Sequence, residues 1–227
     1  MDEPLVVATP DGPGELVFDE ADAPAAVLLL GHGAGGDIDG WDLDLLASRL
    51  PELGVAVARF RQPYRVAGRR VFSSAPALDR GWACALAAVR ERWPDLPIFT
   101  GGRSAGARTA CRGVDEAQRG LVLLSFPLHQ PGRPEKSRAG ELTAVTRPVL
   151  VVQGGADTFG TAADVRAAAS GSPVVQVVEL PGASHTLAPT ARTAAEAVEQ
   201  RERRLVWAVA GFIDDQLRQP PGPAGTP

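Results

Sequence analysis

The chain has 227 residues, of which 44% are hydrophobic and 22% charged, and its formal net charge at pH 7 is −4. This length suits one α/β domain, so we predict a single domain over residues 1–218 and a disordered Pro/Gly tail over residues 219–227. The slight acidity disfavours a nucleic-acid partner, and no apolar run approaches the roughly 20 residues that span a bilayer. The acidic first residues, Met1 to Pro4, lack the order of a signal peptide, so we expect a cytoplasmic protein without a membrane partner.

Cysteine usage gives no sign of a redox or metal site. The two cysteines, Cys84 and Cys111, lie in Ala-rich helical segments and are predicted to be reduced, buried thiols. No Cys-x-x-Cys pair or His-rich tract is present in the sequence. We therefore expect neither a metal nor a cofactor.

Predicted strands and helices alternate along most of the chain. Residues Leu5–Thr9 and Glu15–Phe18 flank a Pro/Gly turn and are typical of an N-terminal hairpin. Apolar runs bounded by turn residues predict further strands at Ala25–Leu30, Gly54–Phe60, Ile98–Thr100, Gly120–Leu124, Pro148–Val152 and Val174–Leu180. Helical spacing predicts helices at Asp37–Leu50, Ala77–Trp93, Thr161–Ser170 and Thr193–Leu217, with another directly after Ser104. This alternation predicts a doubly wound, mostly parallel α/β sheet, and the lack of long helices in the 61–74 and 125–146 segments predicts little or no cap domain.

The segment from Ile98 to Arg108 carries the pattern Gly102-x-Ser104-x-Gly106 directly after a predicted strand. This is the nucleophile-elbow pattern, in which the turn is too tight for side chains at the glycine positions. Such a pattern also arises by chance in Gly-rich chains, and this chain has 25 glycines. The elbow therefore needs an acid, a base and an oxyanion hole from elsewhere in the chain.

Two polar residues follow later strands and can supply the acid and the base. Asp157 and His185 lie just after predicted strands, and the carboxyl ends of parallel strands meet at one edge of a sheet. The order Ser104, Asp157, His185 is that of α/β-hydrolase triads, in which histidine takes the serine proton and the carboxylate orients the histidine. The alternatives are a structural His185 and an Asp157 that caps the next helix. Two other acids fit less well, because Asp164 lies inside a predicted helix and Asp115 precedes the required strand.

The oxyanion hole is predicted from backbone groups on either side of the elbow. The N–H of Ala105 lies at the start of a helix, and a second donor is expected from the Gly-rich loop after the Ala25–Leu30 strand, with Ala34 the best candidate. His32 in that loop is expected to shape it by a side-chain hydrogen bond.

Three further residues are candidates for substrate binding. Arg61 and Arg65 belong to an Arg-rich segment directly after a strand, where a guanidinium fork suits a carboxylate or phosphate. Our hypothesis is that Arg61 or Arg65 binds an acidic acyl substrate, and the alternative is a solvated loop. His129, in the polar loop after the Gly120–Leu124 strand, either lines the pocket or is a solvated loop residue.

The combined motifs resemble the dienelactone-hydrolase-like group of small α/β hydrolases, which also contains a testis-expressed protein and a subunit of a chromatin-acetylating complex. The motifs that carry this resemblance are Gly31–Gly36, Gly101–Arg108, Ser125–His129 with Pro134–Arg138, Gln153–Asp157 with Phe159 and Gly160, and Ser184 with His185. The resemblance implies the α/β-hydrolase fold, a triad of Ser104, Asp157 and His185, and no cofactor. It implies no substrate.

The nucleophile position separates this chain from true dienelactone hydrolases, which use a cysteine where this chain has Ser104. We therefore expect a serine hydrolase that cleaves a small, soluble ester or thioester through an acyl-enzyme, and the substrate is expected to be anionic if the arginine hypothesis holds. Peptidase action differs only in the leaving group and is not separated by the sequence. Because some eukaryotic relatives are complex subunits, the alternative function is a catalytically idle protein-interaction module.

Overall fold

The computed structural model describes residues 3–71 and 74–219. The strands are β1 Leu5–Val7, β2 Gly14–Asp19, β3 Ala26–Gly31, β4 Val55–Arg61, β5 Ile98–Arg103, β6 Gln118–Leu124, β7 Val149–Gly154 and β8 Val175–Leu180. Within the described residues they form an eight-stranded sheet in the order β1-β2-β4-β3-β5-β6-β7-β8. β2 is antiparallel to β1 and β4, and the other neighbours are parallel. The predicted N-terminal hairpin and the mostly parallel sheet are both present.

The helices are α1 Trp41–Arg49, α2 Pro63–Val66, α3 Ala75–Arg92, α4 Ala105–Arg112, α5 Ala139–Thr143, α6 Ala162–Ala168 and α7 Ala195–Arg218. The short helices α2 and α5 lie in segments that we predicted to be loops, because four or five residues are too few to show an apolar stripe. Pro63 begins α2, where its missing N–H leaves no helical hydrogen bond unmade. In the described parts of the chain, the segments after β4 and β6 carry only these two short helices, so neither holds a cap domain. Over the same residues, no helix has the length and apolar character needed to cross a membrane.

Two predicted regions fall partly outside the described residues. Residues 220–227 of the predicted 219–227 tail are outside the described residues. Residues 72 and 73 of the predicted 61–74 loop are outside them as well. The division into a domain and a tail therefore stays a prediction.

The sheet separates two apolar cores. One core packs side chains of α3, α4 and α6 against one face of the sheet, with Trp82 and Phe126 among its largest buried members. The other packs α1 and α7 against the opposite face, around Phe99 and Phe212. β3 is buried along its whole length, as expected for a central strand covered on both faces. The molecule is thus a doubly wound α/β sheet, as predicted.

The strand order places a topological switch point beside β3. The chain passes from β3 to β4 on one side of it, and β5 then pairs with β3 on the other side. Ligands of open parallel sheets bind in the crevice outside the strand ends at such a point. The loop after β3 and the turn after β5 therefore border the expected site.

Candidate active site

The turn between β5 and α4 holds Ser104 in an uncommon backbone conformation. Its φ is 53° and its ψ is −107°, a region that costs a non-glycine residue roughly 1–3 kcal/mol. A Cβ on Gly102 or on Gly106 would lie 2.3 Å from the carbonyl oxygen of Gly31, so the turn requires glycine at both positions. The Ser104 N–H donates to the Leu124 carbonyl at 3.0 Å, which ties the turn to β6. The sequence pattern and the observed turn agree.

A continuous chain of hydrogen bonds joins Ser104, His185 and Asp157. The Ser104 hydroxyl oxygen lies 2.9 Å from His185 Nε2. His185 Nδ1 lies 2.8 Å from Asp157 Oδ2. These three side chains come from the loops after β5, β8 and β7, so the sheet edge brings them together as the sequence analysis expected.

The Asp157 carboxylate is fully buried and held from several sides. Its Oδ1 accepts the Phe159 N–H at 2.8 Å, and its Oδ2 accepts the Gln153 side-chain amide at 3.0 Å as well as the His185 ring. The same Gln153 amide nitrogen also lies within hydrogen-bond distance of the Phe126 and Gly160 carbonyls. Gln153 therefore anchors the loops after β6 and β7 around the acid. We predicted no role for Gln153 from the sequence, although it opens the Gln153–Asp157 motif.

The His185 ring is fixed from its face as well as through its nitrogens. Phe159 stacks on it with a centroid distance of 4.1 Å and an angle of 27° between the ring planes. The Arg103 guanidinium lies 3.5 Å from the His185 carbonyl oxygen. The Phe159 ring and the hydrogen bonds to Ser104 and Asp157 thus limit the orientations of the imidazole, and Arg103 holds the backbone of the same residue.

The loop after β3 is held by side chains on both sides of it. The Gln62 N–H donates to His32 Nε2 at 3.1 Å, so Nδ1 carries the ring proton and donates to the Gly33 carbonyl at 2.8 Å. Burial lowers the pKa of His32, which keeps the ring neutral as this pattern requires. The Tyr64 hydroxyl donates to the Ala34 carbonyl at 2.8 Å. These bonds fix the peptide groups from which the oxyanion donor was predicted.

A sequence model of the alpha/beta hydrolase domain matches residues 24–214 of the chain. The chain belongs to this family. Its structure resembles an alpha-beta serine hydrolase homologue from Coxiella burnetii, with a TM-score of 0.74 and 22% identity over 91% of this chain and 96% of that one. It also resembles XC6422 from Xanthomonas campestris, described as a serine hydrolase without a lid, with a TM-score of 0.73 and 21% identity over 96% of both chains.

A third likeness is to a thermophilic esterase from Thermogutta terrifontis in its malate-bound form. The TM-score is 0.67 at 17% identity, covering 95% of this chain and 99% of the esterase. At such identities these likenesses show a shared fold and no more. Together with the family match, they establish the α/β-hydrolase fold for this chain.

The α/β-hydrolase domain has an open cleft of about 460 Å³ beside Ser104. That volume lies in the range of small-molecule sites. The cleft is lined by Gly33, Ala34, Gly35, Gly36, Arg103, Ser104, Ala105, Arg108, Pro127, Arg138, Phe159 and His185. Both residues predicted to supply oxyanion donors are therefore at the cleft. Among the described residues, the lining includes three arginines and no carboxylate.

The arginines that we expected at the substrate are not among these lining residues. Arg61 donates to Asp37 at 2.8 Å and to Glu15 at 2.5 Å, and Arg65 lies 3.3 Å from Asp37. Arg61 thus connects the loop after β3 to strand β2, and Arg65 connects the same loop to α2. His129 is also absent from the lining, and its Nδ1 contacts the carbonyl of the next residue. The contacts of Arg61, Arg65 and His129 therefore give no support to their predicted placement at the substrate.

Arg103, inside the elbow, pairs with an acid that the sequence analysis missed. Asp42 lies in the first turn of α1, is fully buried, and has its Oδ2 3.5 Å from Arg103 Nε. Burial raises the pKa of Asp42 to about 6, and the positive charge of Arg103 offsets part of that rise. Arg103 therefore faces the cleft and at the same time braces the sheet end. Over residues 3–71 and 74–219, no group of three or more His, Cys, Asp or Glu side chains could hold a metal ion.

Proposed function

We propose that this protein is a serine hydrolase that cleaves a small ester or thioester through an acyl-enzyme intermediate. The observation that carries the proposal is the unbroken hydrogen-bond chain from the Ser104 hydroxyl through His185 to Asp157. A serine hydroxyl is a weak nucleophile, and it becomes effective when an oriented imidazole takes its proton. The Ser104, His185 and Asp157 arrangement supplies that orientation.

In the proposed reaction, Ser104 Oγ attacks the carbonyl carbon of the ester while His185 Nε2 takes the hydroxyl proton. Asp157 holds the other ring nitrogen and stabilises the imidazolium that forms. The backbone N–H groups of Ala34 and Ala105 donate to the oxyanion of the tetrahedral intermediate. His185 then protonates the leaving alcohol or thiol. Water, activated by the same histidine, hydrolyses the acyl-enzyme and regenerates the Ser104 hydroxyl.

The substrate class follows from the cleft. It is open and is not covered by a cap domain in the described residues, which favours short, soluble substrates over long-chain lipids. Small carboxylate-containing molecules occur in structures of fold relatives, namely malate in the Thermogutta terrifontis esterase and ferulic acid in Est1E from Butyrivibrio proteoclasticus. We also propose that the protein belongs to the dienelactone-hydrolase-like group and is located in the cytoplasm.

The test is covalent labelling by a fluorophosphonate, which reacts with activated serines. We expect labelling of the wild-type protein at Ser104 and none in Ser104→Ala. Ser48→Ala is the control, because Ser48 is exposed on α1, where its hydroxyl donates to the Leu45 carbonyl within the same helix. Equal labelling of the wild type and Ser104→Ala would contradict the proposal. A folded wild type that neither labels nor cleaves any ester would instead favour the idle interaction module.

A further inference from the structure

The part of the cleft wall formed by α4 and the segment before α5 carries more positive than negative charge. Arg108, in the first turns of α4, has its guanidinium bound through two nitrogens to the Glu141 carboxylate, at 2.6 and 2.8 Å. Arg112 contacts the same carboxylate at 3.4 Å and binds Asp79 as well. Both carboxylates are thus already engaged by Arg108 and Arg112.

Arg138 differs from its neighbours because it forms no ion pair with a carboxylate of the described residues, although the charge of Glu141 acts on it. It lies just before α5 and lines the cleft, and its Nη1 donates to the Pro127 carbonyl at 3.1 Å. The carbonyl orients the guanidinium without neutralising it. Arg138 lies within the electrostatic influence of Arg108 and Glu141. The cluster of Arg138, Arg108, Arg112, Asp79 and Glu141 thus holds three guanidiniums and two carboxylates, which leaves one excess positive charge.

The surroundings make that charge costly. Arg138 is only partly exposed, and burial, followed by the nearby Arg108 charge, lowers its pKa, while the Glu141 charge opposes this shift. An arginine stays protonated in proteins, so loss of a proton does not remove this cost. A bound carboxylate would relieve it and would accept two parallel N–H bonds from the planar guanidinium fork.

We propose that Arg138, supported by Arg108, is a carboxylate-binding subsite of the cleft, and that the substrate is an ester or thioester bearing a carboxylate. The substrate part of this inference rests on the proposed hydrolase function and adds a substrate class to it. It replaces the sequence-based hypothesis, in which Arg61 or Arg65 met the anion, because Asp37 and Glu15 already occupy those guanidiniums.

The first experiment compares matched pairs of esters that differ only in a carboxylate. One pair places it on the acyl side, as para-nitrophenyl hydrogen adipate against para-nitrophenyl methyl adipate. The other pair places it on the leaving group, as para-acetoxybenzoate against its methyl ester. Charge-assisted hydrogen bonds of this kind correspond to a preference of about 10- to 100-fold in kcat/KM for the anionic member. We expect that preference in at least one pair, and the pair identifies the side of the scissile bond that faces Arg138.

Substitutions test whether Arg138 causes the preference for the anionic ester. Arg138→Gln should bring the anionic-to-neutral ratio close to one, and Arg138→Lys should restore part of it, since a lysine keeps the charge but not the fork. Arg133→Gln is the matched control, because Arg133 lies on the same loop, is exposed and does not line the cleft. Arg65→Gln tests the earlier hypothesis. An equal drop of the ratio in Arg133→Gln, or a drop confined to Arg65→Gln, would overturn the proposal.

Calorimetric titration with free adipate tests the subsite independently of catalysis. The wild type should bind adipate, and Arg138→Gln should bind it about 10-fold or more weakly. If no ester is cleaved but adipate binds through Arg138, the subsite stands and the proposed reaction fails. If Ser104-dependent hydrolysis occurs without any charge preference and adipate does not bind, the reaction stands and the subsite is wrong.

Discussion

The buried pair of Asp42 and Arg103 makes stability depend on pH in a direction opposite to that of most carboxylates. Because burial raises the pKa of Asp42 from its usual 3.8 to about 6, the folded protein keeps this proton over a pH range in which the unfolded chain loses it. Raising the pH from about 4 to about 6 therefore lowers the free energy of unfolding through this group. At about 1.4 kcal/mol per pKa unit, the loss is about 3 kcal/mol.

The measurement is urea unfolding of the wild type and Asp42→Asn at several pH values from 4 to 7. The asparagine has nearly the same shape and does not titrate, so subtraction of the two curves removes the contribution of all other groups. We expect the wild type to lose stability relative to Asp42→Asn as the pH rises to about 6, and the difference to be constant above that. Two parallel curves across the whole range would show that Asp42 does not titrate in this way.

The side chains around Ser104 were predictable from the sequence to different degrees. Ser104, Asp157 and His185 were predicted as a group because each follows a strand, and parallel strands end at one edge. Gln153 was not, because its importance lies in carbonyls of two other loops that only the folded chain brings to it. Arg138 was missed for a related reason: nothing in the local sequence shows that it forms no ion pair with the carboxylates of the described residues. The roles of these residues in catalysis stay proposals.

At the scale of elements, the elbow between β5 and α4 was the most predictable part of the chain. Its steric requirement is encoded within five residues, and these residues, directly after an apolar run, predicted the tight turn between a strand and a helix. The start of α1 was less predictable: Asp37 was expected inside the helix, yet it pairs with Arg61 and Arg65 and the helix begins at Trp41. Long-range ion pairs of this kind leave no periodic signal in the sequence.

The same substitution in two helices should have opposite effects. In Gly106→Ala, on α4, the new methyl would lie 2.3 Å from the Gly31 carbonyl oxygen, so α4 and the elbow must shift away from β3. We expect a lower Tm and a loss of fluorophosphonate labelling at Ser104. In Gly211→Ala, on α7, the methyl meets nothing within 4 Å, and alanine favours a helix interior by roughly 1 kcal/mol over glycine.

Thermal unfolding and labelling of the two variants check this prediction together. Gly211→Ala should raise Tm slightly and leave labelling as in the wild type. Gly106→Ala should lower both. If Gly106→Ala were as stable and as reactive as the wild type, the close contact between α4 and β3 that defines the elbow would be wrong.

At the scale of the whole molecule, the layered sheet and the open cleft beside Ser104 decide which substrates can enter. The sequence predicted this openness correctly, since neither the 61–74 nor the 125–146 segment shows a long amphipathic helix. It did not predict the charge of the cleft wall, which arises where α4, α5 and the loop after β6 converge. Topology was therefore readable from element order, whereas the character of the site depends on side chains distant in sequence.

The openness and charge of the cleft together predict the response to acyl chain length. In an enzyme with an apolar acyl pocket, each additional buried methylene contributes about 0.8 kcal/mol, or roughly fourfold in kcat/KM. Here three guanidiniums line the cleft within the described residues, and neither α2 nor α5 is long enough to cover an extended chain. Methylenes beyond the first few would lie in water and contribute no binding.

We therefore expect kcat/KM for para-nitrophenyl esters to level off at about butyrate and to gain nothing further up to laurate, whereas an apolar acyl pocket would add roughly fourfold for each methylene. The assay is run below the concentrations at which laurate esters aggregate, with Ser104→Ala subtracted as background. A steady rise in kcat/KM with each methylene to octanoate and beyond would mean that an apolar surface covers the acyl chain. That result would contradict the open cleft and, with it, the preference for small, polar esters.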